Sequence, residues 1–411
     1  MQRFVASKES IGLLMLALMP TVFLFSRALA DITIVILGAL FLYKCYLYKD
    51  WQWASTGWFV MSMIITAYIS FIVPIGAEFS LSAFTGGLSY YRWPLFAAAM
   101  CFWILTTEKR FFAFELGVFV LLIFIVVDTV IQYFTGSDMF GYKPIGVRLT
   151  GPFNKLIPGT FSLRIIFIAV SFIYFSQYIT NERVRVISVI SALFIGLIFI
   201  FLTGERGAFL SMFLGSIIIV ISLFIVLKRQ RKFLLLFTLI FFILSSFFAF
   251  SQQKIINRTF ISSYHYIIDW KDSASAKVIV PAIGIWQENN SLTGIGVKNY
   301  SDVCRQDKYE HYGSLIDRNC YHPHNIYVQW LVEAGVIGFL LFLVFLVFVI
   351  RDFFRYSWFS PQRLVGIFAF CVFLTTFWPI MGSMSFFHNS IASIIWLSLS
   401  WSLAKTRKEY L

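Results

Sequence analysis

Charge is scarce in this 411-residue chain. Asp, Glu, Lys and Arg make up 13% of it, about half the share found in soluble domains, while 59% is hydrophobic and the mean hydropathy is +0.80. That balance excludes a water-soluble enzyme built on one or two cores. Several chemistries are missing as well. The chain has no Walker phosphate loop, no nucleophile-elbow serine, no zincin histidine pair and no Rossmann glycine fingerprint, which sets aside ATP-driven transport and proteolysis. Internal repeats and low-complexity tracts are also absent.

What the chain does have is long apolar runs, near residues 10–28, 31–48, 56–73, 93–106, 112–134, 163–179, 184–202, 207–227, 233–250, 327–350, 363–380 and 387–404. A spanning helix takes about 20 residues, so a dozen use roughly 240 and leave room for one sizeable segment outside the bilayer. The expected fold is an all-α polytopic membrane bundle of about twelve helices. Residues 1–250 hold nine of them, 251–324 form a loop domain, and 325–411 hold the last three with the C-terminus. The first run exceeds a signal-peptide core and has no clear small-residue cleavage site, so it is expected to remain as a helix.

The net charge of +13 reads as topology. With a cytoplasmic N-terminus, 18 of the 33 basic residues fall on cytoplasmic ends, and eight lie in the long 251–324 segment, which the orientation rule discounts. Seven remain for the short external loops and span ends: Arg27, Arg92, Lys143, Arg148, Lys155, Arg164 and Arg206. Both termini are therefore expected inside, and a nucleic-acid partner is not.

Two polar segments lie on the external face. Residues 135–162 are rich in Gly and Pro and read as an ordered irregular loop. Residues 251–324 are too long for a connector and too polar to span. Their aromatics, among them Tyr266, Trp270, Trp286, Tyr300 and Tyr309, and the apolar run Val278 to Trp286 suggest a small, mostly helical lid. Of the five cysteines, Cys45, Cys101 and Cys371 belong with the spans. Cys304 and Cys320 share the long loop, which in a bacterial cell would face the oxidising periplasm, so a disulfide between them is expected.

Candidate chemistry follows from the topology. In YHPHNIYVQWLVEAGVIG, Tyr321 to Gly338, His324 and Asn325 precede a helical pattern, and Gly335 and Gly338 offer a small-residue face for another helix. His324 is either a helix-start hydrogen-bonding group or a functional residue. His322 and His324 have no third ligand at a recognisable spacing, so no metal is expected. In FLTGERGAFL, Glu205 and Arg206 sit at the membrane edge, as a local ion pair in a tight turn or with the guanidinium facing an anion. Arg92 and Arg148 lie at the same edge. Snorkelling explains each alone, whereas convergence of all three would suit a diphosphate. Asp128, before the outer end of the fifth run, requires a partner, either a structural pair with an external arginine or a catalytic role.

At these residues the sequence resembles the O-antigen ligase family of bacterial inner-membrane glycosyltransferases. His324 and Asn325, then nine residues, Gly335, two residues and Gly338 match its motif over 15 positions, and the turn around Arg206 resembles its arginine-bearing turn. The resemblance implies a GT-C-like bundle with a periplasmic loop before the tenth helix. It implies metal-independent, inverting transfer of a glycan from undecaprenyl diphosphate to a sugar hydroxyl of lipid A-core, with no cofactor. His324 would be the general base, Arg206 would stabilise the diphosphate, and Arg92, Arg148, His322 and Asn325 would contact substrate. The family's loop arginine has Lys277 as its counterpart here, ahead of SLTGIG, and lysine lacks the bidentate fork. An O-antigen polymerase or protein O-oligosaccharyltransferase would use the same donor. A polysaccharide-lipid flippase is the alternative of another class, and would favour internal repeats.

Overall fold

A computed structural model of the chain describes residues 2–407 apart from 156, 262–263, 265–267, 269–272, 274, 314–319, 356–362 and 380–384. Tyr266 and Trp270 lie outside the described residues. Those residues are overwhelmingly helical, and their only β pairing is an isolated bridge between Ile145 and Arg148.

The order is α1 (Gln2–Phe25), α2 (Arg27–Tyr48), α3 (Gly57–Ala67, continued by tighter and wider turns to Gly76), α4 (Ser80–Leu88), α5 (Arg92–Ala99), α6 (Glu108–Thr135), α7 (Pro158–Phe175), α8 (Glu182–Leu202), α9 (Arg206–Val226) and α10 (Arg231–Ser251). Short α11 (Gln253–Ile256), α12 (Ala276–Glu288) and α13 (Tyr300–Cys304) precede α14 (Ile326–Arg355), α15 (Arg363–Phe377) and α16 (Asn389–Lys405). Helical structure lies over each of the twelve apolar runs, and among the described residues eight helices are long and apolar enough to cross a membrane.

Two of the differences from the sequence expectation bear on the polar end of the bundle. Helix begins at Pro158 instead of 163, because proline suits the first turn and Glu205 caps that end. Ahead of the fourth run, α4 adds a helix from Ser80 that a 3-10 turn joins to α5.

The ends follow local chemistry. Ser26 Oγ accepts from Leu29 N–H at 3.4 Å and starts α2 within a residue of the end of α1. Gly136, at φ 80°, terminates α6. Helix packing uses small residues: Gly117 of α6 lies against the backbone of Ala17 in α1, where a side chain would overlap the Ala17 carbonyl. At one end of the bundle, buried Glu115 accepts from Trp401 Nε1 and Lys405 Nζ, both at 2.8 Å. At the opposite end, the described residues around 26–31, 136–155, 203–206, 252–261, 289–313, 320–325 and 385–389 meet and build the polar region described next.

Candidate functional site

His324 lies two residues before α14 in the left-handed backbone region, at φ 53°. A side chain other than glycine held there is strained by roughly 1 kcal/mol or more. Its ring sits 4.0 Å from that of His322. Burial pushes its imidazole below the ordinary value, which favours the neutral, proton-accepting form. Asn325 starts α14: its Oδ1 accepts from Tyr327 N–H (2.9 Å) and Val328 N–H (3.1 Å), and its Nδ2 donates to Pro379 O at 2.7 Å. That amide is thus engaged in capping the helix and tying it to the 377–388 link.

Ten residues further on, α14 breaks at Gly335 (φ 69°, ψ −177°). The broken backbone is satisfied by Ser291–Gly296, the SLTGIG segment. Ile295 N–H and Gly296 N–H donate to Val332 O and Glu333 O at 3.0 Å each, and Val336 N–H and Ile337 N–H donate to Ser291 O (3.0 Å) and Leu292 O (3.2 Å). The Tyr68 hydroxyl donates to Ala334 O at 2.9 Å. A side chain at Gly335 would overlap Leu292. Another helix was expected at Gly335 and Gly338: at Gly338 the neighbour is Tyr68 of the helical segment that continues α3, whereas at Gly335 an irregular segment of the loop approaches, because that glycine opens the helix as well as thinning it.

Buried Glu333 accepts from the backbone N–H of Lys298 (2.7 Å) and from Gln329 Nε2 (3.1 Å). Gln329 also donates to Ser385 Oγ (2.8 Å) and accepts from Phe386 N–H (2.8 Å). The loop, the His324-bearing helix and the link before α16 are thereby tied together. Cys304 and Cys320 are disulfide-bonded, with Cα atoms 5.5 Å apart, and both are buried in the small apolar cluster of the loop with Ile285, Ile295 and Val332.

A cation cluster surrounds the turn between α8 and α9. Glu205 does not pair with Arg206. Its carboxylate caps α7, accepting from Gly159 N–H (2.7 Å), Thr160 N–H (3.0 Å) and the Thr160 hydroxyl. Arg258 Nε donates to the Gly204 carbonyl at 3.0 Å. Burial pushes the Arg258 guanidinium down, as do Arg148 and Arg206. Burial also pushes Arg148 down, with Arg206 adding to this and Glu205 opposing it. An arginine keeps its charge regardless, so these shifts mark three like charges crowded at one turn. Below them an apolar cavity of about 640 Å³ runs between α8, α9 and α10, and its lining includes Phe209 and Phe260, three residues from Arg206 and two from Arg258.

Arg92 is elsewhere. It pairs with Asp31 at 3.5 Å, and Asp31 also accepts from Asn389 Nδ2 at 3.0 Å. Burial and Arg92 push Lys298 down, while Glu333 and Asp31 oppose. Burial, then Arg27, Lys155 and Lys298, push His388 down, with Asp31 opposing. The three arginines expected on one face are therefore divided between two clusters, because α5 stands beside α2 and α16.

Asp128 finds no arginine among the described residues. Its Oδ1 accepts from Met139 N–H at 3.0 Å. Gln132, one turn on, accepts from Thr150 N–H (2.8 Å) and Gly151 N–H (3.0 Å). These two side chains hold the ordered loop that presents Arg148. Lys277 is exposed on the first turn of α12. The loop cation beside Arg148 and Arg206 is Arg258, which sequence reasoning missed because nothing in its immediate neighbourhood marks it.

The fold and this polar end define a multi-pass, predominantly helical membrane protein that carries two basic clusters and a half-buried histidine at its loop end. Residues 191–343 match the family described as O-Antigen ligase, so that segment, which contains Arg206, Arg258, the disulfide and His324, belongs to the O-antigen ligase family. The function is accordingly of the glycan ligase or polymerase type. No curated protein sequence matches the chain.

Proposed function

We propose that the protein transfers a polymerised glycan from undecaprenyl diphosphate to a sugar hydroxyl of lipid A-core, at the periplasmic end of twelve membrane-crossing helices with both termini in the cytoplasm. One observation carries this: an apolar groove that ends beside Arg148, Arg206 and Arg258. A long isoprenoid requires the groove, and a diphosphate requires charge that forks onto its oxygens.

A lipid diphosphate is already an activated leaving group. In a single displacement the acceptor oxygen bonds to C1, the bond from C1 to the diphosphate oxygen breaks, the acceptor proton passes to His324, and polyprenyl diphosphate leaves with inversion. The arginines stabilise the charge that grows on the leaving group. Arg258 takes the place assigned from sequence to Lys277. Asn325 positions His324 by fixing the start of α14, with His322 beside it facing the acceptor.

The test is His324→Ala in the purified protein. Transfer should be lost while carrier-lipid binding persists, and full activity would reject the assignment. In cells, deletion of the gene should leave bare core with polymer still on the carrier. Core capped by one repeat would indicate a polymerase instead, and units stranded on the cytoplasmic face a flippase.

A further inference from the structure

The transferase reading gives one basic cluster to the donor and leaves the second without a role. That second cluster is a built site. Lys298 is held at φ 68°, a strained conformation for a lysine, and its backbone N–H is fixed on the buried carboxylate of Glu333 at 2.7 Å. Its ammonium reaches Ser89 Oγ at 3.3 Å, at the turn that leads into Arg92. Arg92 is oriented by Asp31 at 3.5 Å and lies over the Trp93 ring at 5.0 Å, and its Nε–H is buried with no hydrogen-bond partner among the described residues. His388, Arg27 and Lys155 complete the basic surroundings, in which Asp31 is the acid paired with Arg92.

Its location fits the acceptor side of the reaction. Asn325 and Gln329 hold the start of α14, and with it His324, onto the link that carries His388. A general base has to be near the hydroxyl it deprotonates. The two basic clusters are also tied to each other, because Arg148 and Lys155 belong to one ordered loop seven residues apart, a span of at most about 25 Å.

We propose that Arg92 and Lys298, with His388 at their rim, form a second anion site that binds a phosphate group of the acceptor glycolipid and so places its hydroxyl before His324. This rests on the transferase reading, and its test uses binding as well as turnover. The full-length protein is placed in nanodiscs of zwitterionic lipid, and lipid A-core is supplied either intact or after phosphatase treatment. Wild-type protein should bind the intact form at least tenfold more tightly, and the acceptor KM should follow. Lys298→Gln, whose backbone bond to Glu333 is unchanged, and Arg92→Gln should each remove most of that preference without moving the KM for donor. Arg92→Lys, retaining charge without the fork, should recover part of it.

Equal binding of the two acceptors by wild-type protein would overturn the site, as would a variant that discriminates like wild type or one that raises only the donor KM. Competition by phosphatidylglycerol at bilayer concentrations would also overturn it, by showing that the cluster takes bulk lipid headgroups. Phosphate-dependent binding with no transfer to any acceptor would uphold the site and reject the transferase reading.

Discussion

The carboxylate of Glu333, buried in α14, accepts the backbone N–H of Lys298 across 35 residues of sequence, at 2.7 Å. Together with the insertion of Ser291–Gly296 at Gly335, this contact joins the long loop to the helix that begins beside His324. Removing the acceptor leaves a buried N–H unpaired. Glu333→Ala should cost about 2–3 kcal/mol and lower the melting temperature in detergent, whereas Glu333→Gln, which can still accept, should cost clearly less. Equal melting of the two variants would contradict this account.

Gly335 answers a different demand. Its φ of 69° is in the left-handed region, and a Cβ would overlap the Leu292 backbone. Conformational strain alone is about 1–3 kcal/mol, and the overlap adds to it. Gly335→Ala should sharply reduce the yield of folded protein in fluorescence-detected size exclusion. A normal profile would show that the loop does not need the break.

At the donor site, Arg258 and Lys277 make opposite predictions. Arg258 shares the Gly204 turn with Arg148 and Arg206, whereas Lys277 is exposed on α12. Losing one charge-assisted hydrogen bond is worth about 1.5–3 kcal/mol. Arg258→Ala should therefore raise the donor KM by tenfold or more, and Lys277→Ala should change it less than twofold. The reverse ranking would return the role to Lys277.

His324 acts as a base only when neutral. Burial holds its pKa below the ordinary value of about 6.5, so the neutral form persists as pH falls through 6.5 and is lost only at lower pH. The acidic limb of kcat/KM, which reports the free enzyme, should fall below pH 6.5. A limb centred above 7 would be incompatible with this environment.

The bond between Cys304 and Cys320 closes a loop with a sequence separation of 16, for which chain entropy gives about 3 kcal/mol. Cys304→Ser, or reductant, should lower the melting temperature. Peptide mapping without reductant should recover the two cysteines in one linked fragment, and two free thiols would exclude the bond.

Much of the bundle was legible in the chain because a membrane helix declares itself locally. An apolar run of sufficient length has to satisfy its own backbone, and helices stand over the runs read from sequence. The helix ahead of the short fourth run was the exception: Ser80–Leu88 mixes Ser, Thr and Gly with apolar residues, so hydropathy does not mark it. Glu205 and Asp128 were recognised as charges that needed partners, yet apart from the Thr160 hydroxyl on Glu205 the hydrogen bonds they accept come from backbone N–H groups, of Gly159 and Thr160 for one and Met139 for the other. Backbone donors carry no sequence signal.

By itself the sequence determined the membrane class, the positions of the apolar helices, the histidine motif at the head of α14 and the scarcity of charge that made each remaining arginine worth attention. Each of these depends on local composition or spacing. Only the tertiary structure decided which charges stand together: Arg148 and Arg206 with Arg258, and Arg92 with Asp31 and Lys298. The physical reason is that helix order along the chain does not fix helix adjacency in the bundle. The loops converging at one end join residues that are hundreds of positions apart, and charge clustering follows that packing.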